Sequence, residues 1–134
     1  MVDRKVQQAS LGAGDVVITL GQGDNGEELT LRPHWKAAKT LSTKYNGLSS
    51  VIERVLRLDI SVVVDVIAVG LGYTSTKRPP EDLERRIYET GLTDDTGGLA
   101  ERCVTYLHVL AGGGRLPDSS SDDEDGDRAD PTLN

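Results

Sequence analysis

The chain has few aromatic side chains to bury. It contains no phenylalanine, one tryptophan and four tyrosines among its 134 residues, and hydrophobic residues make up only 37%. An interior must therefore be built mainly from valine, leucine and isoleucine. A chain of this length and composition predicts one domain and hardly two.

Cysteines and long apolar runs are equally scarce. A single cysteine, Cys103, excludes an internal disulfide and the small disulfide-rich scaffolds. The longest apolar run covers residues 60–71 and is interrupted by Asp65, whereas a membrane-spanning helix needs about 20 residues. The first 15 residues show no apolar core of a secretory signal. Together these absences predict a protein of the cytoplasm that contacts no membrane.

The acidic residues are concentrated at one end of the chain. Seven of the 22 acidic residues lie in 117–134 beside one arginine, so this segment carries −6 of the net charge of −7. A nearly neutral body with an acidic end argues against binding to nucleic acid phosphates. Because 117–134 is rich in serine and aspartate and holds one leucine, we expect it to be disordered. With a flexible 1–14, this leaves 15–116 as the single globular domain.

A β-hairpin is predicted near the N-terminus. Residues 16–20 and 29–32 are rich in strand-forming side chains, and Asn25-Gly26 between them favours a two-residue type I′ turn. That turn pairs Leu20 with Leu31. Four side chains then share one apolar face, namely Ile18, Leu20, Leu29 and Leu31. Two strands alone are marginal in water, so this face must pack on helices.

The remaining apolar residues recur at helical spacing in five segments, which begin near Pro33, Ser50, Asp59, Pro79 and Leu99. Pro33 is expected as a first helical residue, and Asn46-Gly47 as the end of that helix. Ser50-x-x-Glu53 fits a capping box. The last helix is expected to bury Leu99, Cys103, Leu107 and Leu110. The predicted fold is α+β and mainly α, a hairpin packed on four to five helices.

The helix over 60–71 is apolar almost all round. One face carries Ile60, Val63, Ile67 and Leu71, and the opposite face carries Val62, Val66 and Val69. A helix of this kind is either central in its fold or covered by a partner. Val62, Val66 and Val69 are therefore the candidate partner-binding residues, with burial inside the monomer as the alternative.

Residues capable of chemistry are few and scattered. Gly21–Gly26 matches GxGxxG, but a second strand with Glu27 and Glu28 follows where a phosphate-binding helix is required, so a hairpin loop is predicted. Cys103 and His108 are five residues apart and point to different faces of a helix, which favours a buried structural thiol.

Two further features have plain structural interpretations. Asp65 is expected to face solvent or to pair with a base such as Arg57 or Lys77. Ser119, Ser120 and Ser121 each precede an acid by three residues, a match that a Ser/Asp-rich segment gives almost automatically. The sequence thus predicts no catalytic residues, no cofactor and no metal site, and favours a small binding protein.

Five short motifs follow one another between residues 27 and 114: Leu29-Thr30-Leu31-Arg32, Pro33-His34-Trp35-Lys36-Ala37-Ala38, Asp65-Val66-Ile67-Ala68-Val69-Gly70-Leu71, Ile87-Tyr88-Glu89-Thr90-Gly91-Leu92 and the helix from Leu99-Ala100-Glu101 to Leu110. Their order and spacing resemble the tail assembly chaperones of siphophage-like tails, in the group related to gene transfer agents. One departure is that Ser42 follows Leu41, where that group has an acidic residue.

The resemblance implies a role without catalysis. Such chaperones coat the long, apolar, helical tape-measure protein in the bacterial cytoplasm, are displaced when tail tube subunits polymerise, and are absent from the finished tail. The implied partners are the tape-measure protein, the tail tube protein and further copies of the chain. Two alternatives remain at this point: a minor structural tail protein retained in the virion, and a host-directed inhibitor whose acidic segment mimics nucleic acid.

Overall fold

The computed structural model describes residues 12–21, 26–93 and 98–115. They form an antiparallel hairpin, β1 (Val16–Leu20) and β2 (Glu27–Leu31), followed by five helices. The helices are α1 (Trp35–Tyr45), α2 (Leu48–Leu56), α3 (Ile60–Gly70), α4 (Leu83–Thr90) and α5 (Leu99–Ala111). This confirms the predicted α+β, mainly α, fold. The expected disorder of 117–134 and most of the expected flexible N-terminus lie outside the described residues.

The hairpin has the predicted apolar face but a different register. Leu20 pairs with Glu27 and Val16 with Leu31, so the predicted pairing of Leu20 with Leu31 is wrong. That pairing would place the start of β1 opposite Pro33 and the first turn of α1, which cannot continue a strand. The partner of Leu20 moves by four positions, an even number, and the same side chains therefore still face the helices.

The starts of α1 and α2 differ from their predicted positions. His34, not Pro33, marks the start of α1, because its Nδ1 accepts a hydrogen bond from the backbone N–H of Ala37 at 3.3 Å. Asn46 closes α1 in the left-handed conformation with φ 67°, as predicted. The chain turns at once into α2 at Leu48, which places Ser50 inside the helix, and the predicted capping box is wrong.

Helix α3 is the central element of the fold. It contacts β2 and each of the other four helices. Val62 and Val66 are 1% and 0% exposed, and Val69 is half-buried. Val62 and Val66 of the predicted outer strip are therefore not on the surface, because neighbouring elements cover them, whereas Val69 is partly exposed. The alternative, burial inside the monomer, is the one that the structure supports.

Helix α5 closes the core against the hairpin. Leu99, Cys103, Leu107 and Leu110 are all buried, as predicted. Tyr106 is also fully buried, and its hydroxyl donates a hydrogen bond to the Arg32 carbonyl oxygen at 2.7 Å. That bond satisfies the one polar atom of the ring and fixes α5 to the end of β2.

Two close backbone approaches tie the fold together. At the end of α3, a Cβ added to Gly70 would lie 3.0 Å from Leu31 Cδ2, and the Gly70 carbonyl accepts a hydrogen bond from the N–H of Arg32 at 3.0 Å. Gly14 has φ +90°, and a Cβ there would overlap the carbonyl oxygen of Gly114. The beginning and the end of the described chain therefore lie in contact.

Among the described residues, no helix has both the length and the apolar character that crossing a membrane requires.

Candidate functional site: an apolar groove between two helices

Four large hydrophobic side chains of the described residues are exposed: Trp35, Leu56, Leu58 and Tyr88. Two of them, Leu56 at 66% and Leu58 at 47%, border a single cavity of about 420 Å³ between α2 and α5. Its apolar wall comprises Val55, Leu56, Leu58, Leu92, Ala100 and Val104. We refer to this cavity as the apolar groove. A concave, mainly apolar pocket of this size is the default candidate for a binding site.

The way in which α2 ends accounts for the exposure of Leu58. Its N–H bonds to the Val55 carbonyl at 2.9 Å, and the N–H of Asp59 bonds to the Arg54 carbonyl at 3.1 Å, which is a Schellman termination. Leu58 occupies the left-handed position of this motif with φ 64°, where glycine is usual. The left-handed conformation costs a bulky residue about 1–2 kcal/mol. The motif holds a leucine at the edge of the groove at the expense of stability, and such strain is concentrated at functional sites.

The opposite wall depends on a close packing of two backbone segments. The N–H of Ala100 donates to the carbonyl of Leu92 at 2.9 Å and so fixes Leu92 beside the start of α5. A Cβ at Gly98 would lie 2.5 Å from that same carbonyl oxygen. Only glycine allows this approach, and the groove therefore has a fixed wall opposite α2.

Two ion pairs lie on or next to α2, and one acidic side chain lines the groove. Arg57 pairs with Glu53 at 3.0 Å, Arg54 lies 3.6 Å from Asp59, and Glu101 borders the groove from α5. These pairs are exposed and contribute little to stability. The lining of the groove is mainly apolar, which suits it to hold apolar side chains.

The residues that the sequence singled out for chemistry do not meet in one place. Cys103 is fully buried, as predicted, and burial raises the pKa of its thiol to about 12, so that the thiol stays protonated at neutral pH. His108 is exposed. Of the GxGxxG motif, Gly21 and Gly26 flank residues 22–25, which lie outside the described residues.

Asp65 has partners other than those predicted. It accepts hydrogen bonds from Lys44 Nζ at 2.7 Å and from the hydroxyl of Tyr45, so a base pairs with it as predicted, but that base is Lys44 and not Arg57 or Lys77. Burial and the Asp65 carboxylate raise the pKa of Tyr45. These contacts join α1 to α3 and are structural. In the part of the chain that is described, no three His, Cys, Asp or Glu side chains group into a possible metal site.

The groove itself was not anticipated from the sequence. Leu56 continues the helical spacing of Leu48, Val51, Ile52 and Val55, a pattern that favours burial of all five, but it is 66% exposed. The available signal is Leu58, an apolar residue in a three-residue connection between helices, at a position where glycine or asparagine is usual. Spacing along one helix cannot show that Leu92 and Val104 line the same cavity as Leu56 and Leu58.

Comparison of the chain with models of protein families, with curated proteins and with solved structures gives no match. The function must therefore be argued from the groove and from the motifs of the sequence.

Proposed function

We propose that the protein is a non-enzymatic tail assembly chaperone, which binds the tape-measure protein in the host cytoplasm and keeps it soluble until the tail tube polymerises. The observation that carries the proposal is the apolar groove with its two exposed leucines. The order of motifs along residues 27–114 supports it, since this order resembles that of such chaperones. The proposed client binds through the apolar stripe of a helix, the usual mode for an apolar groove.

The size of the groove favours weak and reversible binding. Full burial of a leucine side chain stabilises by about 1.5–3 kcal/mol, and Leu56 and Leu58 have only part of that burial still to gain. Association costs about 4–15 kcal/mol in lost translational and rotational freedom. One groove on one client segment therefore binds weakly. Many copies can coat a long client together, while each single copy still dissociates readily. Arriving tube subunits can displace them.

Co-expression with the neighbouring tail proteins, followed by pull-down, tests the proposal. The variant Leu56→Ser/Leu58→Ser should remain folded by circular dichroism and lose the tape-measure protein from the captured fraction. The matched control is Tyr88→Ser, because Tyr88 is 70% exposed on α4 and does not line the groove. If the groove variant and the Tyr88→Ser control capture equal amounts of the tape-measure protein, the groove is excluded as the client site.

A second measurement separates assembly from structure. A chaperone of this type is absent from the mature virion, so mass spectrometry of purified particles should not find it at the stoichiometry of a tail component. Stoichiometric presence would instead support the minor structural tail protein. Retained function after deletion of 117–134 would exclude an inhibitor whose acidic segment mimics nucleic acid.

A further inference from the structure

A second exposed surface lies at the other end of α5. Trp35 is 69% exposed at the start of α1, beside a cavity of about 200 Å³ lined by Pro33, Ala38, Leu110, Gly113 and Gly114. Lys36 and Lys39 are exposed on the same helix, and Lys36 Nζ lies 5.9 Å from the centre of the Trp35 ring. We call Trp35, Lys36, Lys39 and this cavity the Trp35 face. It shares no residue with the apolar groove.

The charge of α1 is unbalanced. Among the five described helices, α1 alone contains no acidic residue, while it contains three lysines. Lys44 is paired with Asp65 of α3, which leaves Lys36 and Lys39 on the exposed face. The exposed faces of α2, α4 and α5 carry both signs. A surface with this charge and an exposed tryptophan fits an acidic partner.

The chain itself supplies an acidic segment at this place. Gly113 and Gly114 line the cavity beside Trp35, and the described chain ends at Arg115. The residues that follow include 117–134, with seven acids and one arginine. An extended chain spans about 3.3 Å per residue, so these residues easily reach along α1, which rises about 1.5 Å per residue.

We propose that the acidic segment 117–134 docks on the Trp35 face of its own chain, with its carboxylates beside Lys36 and Lys39. Because segment 117–134 belongs to the same chain as the Trp35 face, the contact is intramolecular. The local concentration of its carboxylates at this face is therefore higher than that of a free acidic partner in solution. The contact requires no helix or strand in the segment, since opposite charges attract at any backbone conformation. Exposed pairs are individually weak, so the segment acts as a removable cover that contributes little to folding stability.

Trp35 is the only tryptophan, so its fluorescence reports on this face alone. The experiment compares quenching by acrylamide, which is neutral, in the full chain and in a chain ending at Leu116. Truncation should increase the quenching constant and shift the emission to longer wavelength, while the melting temperature changes little. In the full chain, about 1 M NaCl, where the Debye length is about 3 Å, should produce the same increase.

Charge-reversal variants of the full chain provide the matched control. Lys36→Glu/Lys39→Glu should reproduce the effect of truncation. Lys77→Glu/Arg78→Glu makes the same change of charge in an exposed loop that does not line the cavity beside Trp35, and it should leave the quenching constant unchanged. Equal quenching in the full and truncated chains, at low salt, would overturn the proposal.

Two further outcomes would also overturn it by identifying another occupant. Protection of Trp35 that increases with protein concentration would show that a second copy covers the face. Protection that is lost on removal of residues 1–10, but kept on removal of 117–134, would assign the cover to the N-terminal residues, which precede Gly14 and its contact with Gly114.

Discussion

Replacing Gly70 by alanine sets a gain in helix propensity against a loss in packing. Alanine is favoured over glycine by about 1 kcal/mol inside a helix, and by less at the last residue of α3. The new Cβ would lie 3.1 Å from Leu31 Cβ and 3.3 Å from Tyr106 Cζ. Overpacking of a core typically costs about 1–3 kcal/mol. The packing loss exceeds the gain if these two neighbours cannot move away.

The structure indicates that they cannot. Leu31 is fully buried in β2, and the nearest atoms include its Cβ, which moves only with the backbone. Tyr106 is held by its hydrogen bond to the Arg32 carbonyl. We therefore expect Gly70→Ala to lower the free energy of unfolding by about 1–2 kcal/mol. For a domain of this size, the melting temperature should fall by about 5–10 °C.

Urea denaturation followed by far-UV circular dichroism measures the change. The control is a double-mutant cycle with Leu31→Ala, which removes most of the side chain that the new methyl group meets. Gly70→Ala should cost clearly less in the Leu31→Ala background. A stabilising Gly70→Ala, or an equal cost in both backgrounds, would refute the claim that this contact is rigid.

Three further predictions follow from the core. Leu107→Ala should lower the free energy of unfolding by about 2–5 kcal/mol in the same assay, since Leu107 is fully buried, and a loss below about 0.5 kcal/mol would mean that this face of α5 is not inside. Val66→Lys should abolish the folded circular dichroism spectrum, because it buries an ammonium group without a partner, and a folded variant would contradict the central position of α3. The Cys103 pKa is raised from 9.0 to about 12 in the folded state, so the unfolded state loses its proton first and stability should fall as the pH rises from about 9 towards 12. Cys103→Ala should remove that part of the pH dependence, and an unchanged profile would exclude the thiol as its source.

The sequence predicted local structure where the signal was local. Period-2 and helical spacing identified the hairpin face and the buried stripe of α5, and Asn46 closes α1 as expected. The predicted hairpin register was wrong because it was derived from the Asn25-Gly26 turn alone. The competing constraint is that α1 begins at Trp35, which leaves β1 no partner beyond Leu31.

The surface was harder to predict than the core, because exposure depends on tertiary neighbours. Val62 and Val66 belong to the back of an apolar helix in the sequence, yet several elements cover them in the fold. Leu56 has the spacing of the apolar stripe of α2, yet it is largely exposed. Patterning shows that one apolar side exists on each helix, but only the packed arrangement shows which apolar side chains remain uncovered.

The contact between Gly14 and Gly114 has a consequence for biosynthesis. A chain emerges from the ribosome N-terminus first, so β1 is made before α5, which packs against it. Until α5 has been made, the apolar face formed by Ile18, Leu20 and Leu31 has only part of its cover. The hairpin therefore remains an incomplete element while α1 to α4 are made, and the packing of α5 on β1 must close a loop that contains them. Ribosome-bound chains that stop before Leu99 should consequently be open to proteases within the hairpin, whereas the released protein should be resistant there.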